Sequence, residues 1–210
     1  MYSLNDCEFQ VQAEPALQKV FADYASTGQW FSPTITARKV IYPCFSSFEE
    51  ALPVDALVAA ATALGDEGCY ITLDWRALDE PNHCYIPLSE LQESYAGEPG
   101  SEKLIGARLG MNVFGHYTTI FSANGKWGIK ILEAGLAILG GVPEFMDILQ
   151  TLVPSLDEQI HSFLHQLFED TPQDNPEREP YFSAEWLYEI LFQVYGQEVA
   201  ATMVREAGLL

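Results

Sequence analysis

Asn124-Gly125 lies between two strand-like runs, Tyr117 to Phe121 and Lys126 to Leu132. No other feature constrains the fold as much. An Asn-Gly pair accepts the left-handed backbone that hairpin turns demand, so the two runs are predicted to pair antiparallel across Ser122-Ala123-Asn124-Gly125. In the second run Trp127, Ile129 and Ile131 alternate with Lys126, Gly128 and Lys130. That period of two predicts one face on a core and the other wet or laid against a partner.

Two further strands are expected, at Arg38 to Pro43 and at Cys69 to Trp75, the second rich in aromatic and β-branched residues. Leu17, Val20, Phe21 and Tyr24 recur at helical spacing behind Glu14 and Pro15, which predicts a helix ending near Gly28. A second helix is expected from Val54 to Leu64, stopping at Gly65. The next thirty residues, rich in Pro and Gly, read as loop with a short helix around Ser89 to Tyr95. After Gly140-Gly141 the pattern turns helical. Pro143, Phe145, Met146 and Leu149 fit a short helix, and Ser155-x-x-Glu158 has the form of a capping box ahead of Ile160, Phe163, Leu164, Leu167 and Phe168. Trp186, Leu187, Ile190, Leu191 and Val194 mark another helix, ending at Gly196, and a last one runs to about Ala207. Strands in the first two thirds and helices in the last third predict an α+β fold. The expected form is a mostly antiparallel sheet with helices packed on it and a helical C-terminal region. The expected divisions are an α+β domain over 1–168, a polar, proline-containing linker over 169–182, and a C-terminal helical appendage over 183–210.

Composition enters where function is concerned. Thirty Asp and Glu face ten Lys and Arg, a formal charge of −20, in a chain that is 48% apolar. There is enough Leu, Ile, Val and Phe to form a core, so this is not a disordered acidic tail. A negative field of this size repels nucleic acid and anionic lipid and speeds the approach of a basic partner. Arg38-Lys39 is the only adjacent basic pair, and the nucleic-acid signature is missing. Neither long apolar stretch, Leu57 to Leu64 or Ala134 to Val142, approaches the roughly 18 residues of a membrane span. The first residues, Met1 to Asp6, show no basic and apolar leader pattern. A cytoplasmic protein is therefore expected, with Cys7, Cys44, Cys69 and Cys84 as reduced thiols, largely buried.

Candidate sites are of three kinds. Ten carboxylates and one cation, Arg178, fall between Asp157 and Glu198. Within this stretch Glu169, Asp170, Asp174, Glu177 and Glu179 are candidate contacts for a basic partner, unless they only keep the chain soluble. Asp74, Asp79 and Glu80 follow the strand ending at Trp75, with His83 and Cys84 just behind. They are candidate contacts too, and a carboxylate, His and Cys group that catalysis can use only if the fold assembles it. His83 and Cys84, as sequence neighbours, would point to opposite faces of a strand. His161 and His165, four apart on one helix and flanked by Glu158 and Glu169, match half of a zinc site. They lack a third ligand and any HExxH pattern, and exposed helix polar groups are the simpler reading. Gly135, Gly140 and Gly141 lack the Lys-Ser/Thr of a phosphate loop, and Gly106, Gly110 and Gly115 do not fit a dinucleotide fingerprint. No cofactor is implied. Trp30, Phe31, Tyr42 and Phe45 flank turns and suit either an interface or the core.

Asn124-Gly-Lys-Trp-Gly128, Glu133, the Ala137-to-Gly141 run and Glu144-Phe145 together resemble a pattern found in small bacterial immunity proteins of polymorphic-toxin systems. The resemblance covers about residues 121–146. It implies a hairpin followed by a small-residue strand and a helix starting near Glu144-Phe145. It also implies a non-enzymatic, acidic cytosolic protein that neutralises a cognate toxin by occluding its active surface. An effector chaperone or adaptor for a secretion system is the alternative binding function. A small metal-dependent hydrolase using His161 and His165 is the catalytic one.

Overall fold

A computed structural model describes residues 2–22, 30–42, 52–73, 83–91, 118–132, 136–170 and 184–207. Seven strands form one fully antiparallel sheet: β1 (Tyr2–Leu4), β2 (Ala37–Ile41), β3 (Gly68–Leu73), β4 (His83–Pro87), β5 (Thr118–Ser122), β6 (Trp127–Ile131) and β7 (Ala137–Gly141). Their order across the sheet is β1-β4-β3-β5-β6-β7-β2. The helices are α1 (Asp6–Gln12), α2 (Glu14–Val20), α3 (Val54–Ala63), α4 (Pro143–Leu152), α5 (Gln159–Asp170), α6 (Ala184–Tyr195) and α7 (Gln197–Glu206), with a 3-10 helix at Pro154–Glu158 ahead of α5. The fold is α+β, as the pattern of strands and helices predicts.

The Asn-Gly hairpin forms as expected. Gly125 has φ +73, its N–H donates to Ser122 O at 3.1 Å, and Ile120 pairs with Ile129 across the ladder. The small-residue strand and the helix after it follow as β7 and α4.

Both faces of the sheet are covered. On one face Ile71, Ile86, Ile120, Trp127, Ile129 and Leu139 pack with Leu57 and Ala60 of α3 and Phe145 and Leu149 of α4. On the other, Val40, Tyr70, Phe121 and Ile138 pack with residues of α1, α2, α5, α6 and α7, including Phe9, Leu17, Phe163, Leu187 and Val204. The expectation that Gly128 and Lys130 face water or a partner is therefore corrected. A side chain at Gly128 would lie 2.6 Å from Val20 Cγ1 and 2.7 Å from Phe21 Cζ. Only Gly lets α2 come so close. Lys130 is 3% exposed. Hydrophobic alternation reveals one buried face, but a second face closed over glycine looks polar in sequence.

Other expectations change at element ends. The first predicted helix is α2, and a further helix that no expectation covers, α1, precedes it. Helix α2 stops at Val20, because Phe21 turns extended and bridges to Phe31, which shifts the end well before Gly28. The capping box belongs to α1: Glu8 N donates to Asn5 Oδ1 at 3.0 Å and Asn5 N to Glu8 Oε2 at 2.8 Å. Ser155-x-x-Glu158 forms no such box. Pro154 starts a 3-10 turn there, and α5 begins at Gln159. Strand β4 falls in the stretch read as loop, and Trp30, Phe31 and Tyr42 are core side chains rather than exposed anchors.

The sheet and α3 meet at Asp66, which is 4% exposed. Its carboxylate accepts from Ser122 Oγ at 2.8 and 2.9 Å, from Asn124 N at 3.0 Å and from Trp127 Nε1 at 2.9 Å. One side chain thus fixes the α3–β3 turn, the hairpin turn and the largest core residue together. Asp66→Ala strands two buried donors, Ser122 Oγ and Trp127 Nε1, each costing about 1–3 kcal/mol, while Asn124 N keeps its hydrogen bond to Ser122 Oγ at 3.1 Å. A loss of roughly 3–5 kcal/mol is expected by urea denaturation, with Asp66→Asn losing less because it keeps an acceptor.

Candidate functional site

The charged residues are sorted by sign. Among the described residues thirteen carboxylates are exposed, whereas Lys19 and Arg205 are the exposed cations. The other described cations make contacts within the chain, three of them half-buried and Lys130 buried. Arg38 donates through Nη1 to Gln193 O at 2.6 Å and through Nε to Ile35 O at 3.2 Å, with its guanidinium 5.5 Å from the centre of the Phe31 ring. Burial holds its pKa below the usual arginine value. Lys39 Nζ pairs with Asp157, and Lys126 Nζ donates to Leu64 O at 2.9 Å. Lys130 is enclosed in the sheet. The surface is thus more anionic than composition alone implies.

Part of this surface lies on the C-terminal helices, where Glu185, Glu189, Glu198 and Glu206 are exposed, and on the 3-10 helix, where Asp157 and Glu158 are. Glu185 and Glu189 stand four apart on α6, a like-charge spacing that costs an exposed helix a few tenths of a kcal/mol. Helix α6 is held on β2 by Leu187, Ile190 and Leu191 in the core, by the Arg38–Gln193 hydrogen bond, and by Val40 N donating to Tyr195 Oη at 3.4 Å.

The sequence-selected contact residues divide by position. Asp74, Asp79, Glu80, Asp174, Glu177 and Glu179 lie outside the described residues. Glu169 and Asp170 close α5, where the backbone alone is described. His161 and His165 are exposed on α5, as the helical wheel predicts. With Leu164, Met203, Glu206 and Ala207 they line a cleft of about 320 Å³ between α5 and α7. Among the described residues no group of three His, Cys, Asp or Glu side chains is placed to hold a metal ion.

One arrangement escaped the sequence reading. Thr72 Oγ1 lies 2.7 Å from His83 Nδ1, and His83 Nε2 lies 4.0 Å from Asp6 Oδ1, with Phe9 stacked on the imidazole at 3.7 Å between ring centres. Hydroxyl, imidazole and carboxylate follow in the order of a hydrolytic triad. Thr72, however, is 1% exposed in a central strand, so its hydroxyl cannot reach a substrate in this conformation. The set instead ties α1 to β3 and β4. The alternation His83-Cys84-Tyr85-Ile86 was the available signal for β4. Cys84 does point away from His83, into the core beside Cys69. Burial, then Cys84 and Asp66, push the Cys69 thiol up, which makes it a poor nucleophile. Cys7 is exposed and Cys44 lies outside the described residues.

Among the described residues no helix is long and apolar enough to cross a membrane. No protein-family model matches the chain, and no curated protein or solved structure matches it.

Burial raises the Tyr195 hydroxyl to about 12, partly offset by the Val40 hydrogen bond and reinforced by Asp157. The folded state therefore favours the neutral phenol. Its contribution is complete below the unfolded value near pH 10 and is lost as pH rises through about 12. Urea denaturation between pH 9 and 11.5 should show stability falling above pH 10, and Tyr195→Phe should flatten that fall.

Proposed function

We propose that this chain is a non-enzymatic acidic binding protein, an immunity protein that neutralises a cognate bacterial toxin by occluding its active surface. The observation that supports this most is the sorting of charge, with carboxylates outside and most described cations drawn into the fold. The resemblance over residues 121–146 supplies the class of partner. Acting as an inhibitor needs no catalytic group. It needs fast, tight association, and a one-signed surface speeds encounter with a basic partner to rates neutral surfaces do not reach. An interface of standard size, about 1,600 Å² in total, is enough to cover a toxin's active surface. Cytoplasmic location belongs to the same reading, since the inhibitor must meet the toxin where it acts.

The partner is identified by expressing the tagged chain in its native host and sequencing near-stoichiometric co-purifying proteins at low and moderate salt. Association kinetics then test the mechanism. The on-rate is expected to fall at least about tenfold between 50 and 300 mM salt. Reversing Glu158, Glu185, Glu189 and Glu198 to Lys should lower it similarly while changing dissociation little. Salt-independent association, or a toxin that stays fully active when saturated with this chain, overturns the proposal.

A further inference from the structure

The cleft between α5 and α7 has a composition of its own. Its lining combines the apolar Leu164, Met203 and Ala207 with His161, His165 and Glu206. Val199, one turn before Met203 on α7, is 44% exposed and extends the apolar strip. The Glu206 carboxylate makes this spot favourable to a cation, since it lines the cleft as the last residue of α7 and adds to the negative end of that helix's dipole. Arg205, the nearby cation, lies a hundred degrees round α7 from Glu206 and is not part of the cleft lining.

We infer that this cleft is the socket for an arginine side chain of the basic partner. The inference rests on the proposed binding function and names the contact through which it holds. Arginine fits each part of the cleft. Its aliphatic stem covers Leu164 and Met203, its planar guanidinium stacks on an imidazole, and its fork of donors meets the Glu206 carboxylate. Lysine, a compact and strongly hydrated charge, makes no use of the imidazole faces. A volume of about 320 Å³ leaves room for the side chain and part of the backbone carrying it. Arginines seated in such sites are over-represented among the residues that carry most of an interface's affinity.

The test has two arms. First, the full chain is titrated with N-acetyl-arginine N-methylamide while the His161 and His165 ring signals and the Met203 methyl are followed by NMR. The citrulline analogue, which keeps the shape and lacks the charge, is the control. Saturable shifts at these three residues in the millimolar range, absent with citrulline, are expected. No shift there, or equal shifts with citrulline, overturns the socket. Second, with the partner in hand, Glu206→Gln and Met203→Trp are each expected to raise the off-rate about tenfold and leave the on-rate nearly unchanged. If both variants dissociate like the parent while association stays salt-dependent, the socket is wrong and the steering mechanism stands. If association is salt-independent, the binding reading itself fails, whatever the cleft does.

Discussion

The structure depends on a buried carboxylate at the meeting point of three segments. Asp66 gathers the hydroxyl of Ser122, the backbone N–H of Asn124 and the indole N–H of Trp127. A carboxylate can be buried only where its lone pairs are met, and here three donors from one hairpin meet them. The consequence is geometric. The register of β5 against β6 positions these donors, and the α3–β3 turn positions the acceptor, so neither hairpin nor turn can slip without leaving buried polar groups unmet. Trp127 stacks on Phe145 at 5.5 Å between ring centres, with the planes 9° apart, so the same anchor reaches α4. The α3/α4 face of the sheet is organised around it.

The opposite face is organised by absence of side chain. Gly128 lets Val20 and Phe21 of the α2 segment lie almost on the backbone of β6. Phe21 and Phe31, 5.0 Å apart between ring centres, fill the space that larger strand residues would otherwise occupy. This explains which parts of the fold were legible in the sequence. The hairpin, β2, β3, and helices α3, α4, α6 and α7 announce themselves through period and turn chemistry, whereas β7 is implied only by the resemblance over residues 121–146. The second core layer does not, because glycine and an internal lysine at alternate positions of β6 look like a wet face. Trp30, Phe31 and Tyr42 looked like possible interface anchors for the same reason: the surface they cover is invisible in a local pattern. Strand β4 hid behind a proline-rich neighbourhood although its own residues alternate cleanly.

Site legibility follows a different rule. The sign of the surface could be read from composition, but its sorting could not. Arg38 and Lys39 look like a basic pair. In the fold Arg38 turns under α6 to reach Gln193 and Lys39 turns to the other face to meet Asp157, as alternating strand positions must. The cleft pairs residues some forty positions apart, and half of it, the His161–His165 spacing, was visible only as an incomplete metal motif. Met203 and Glu206 gave no signal, because only the fold brings the end of α7 to the cleft beside His161 and His165.

Solubility alone does not account for the charge. A net charge of magnitude about 2–8 keeps a small domain dispersed. This chain carries −20, and further charge of one sign adds self-repulsion that weakens the compact state. The Glu185–Glu189 spacing on α6 shows the same cost locally, set against the favourable place of Glu185 in that helix's first turn. Among the described residues thirteen carboxylates are exposed while Asp66 is buried, and Arg38, Lys126 and Lys130 are drawn toward the interior while Lys39 pairs with Asp157 at the surface. In the proposed function the field acts on something outside the molecule. The range of that action is short, about 8 Å at physiological ionic strength. On the proposed function the field would steer an oncoming basic surface during final approach, and affinity would come from short-range contacts, for which the α5–α7 cleft is the proposed socket.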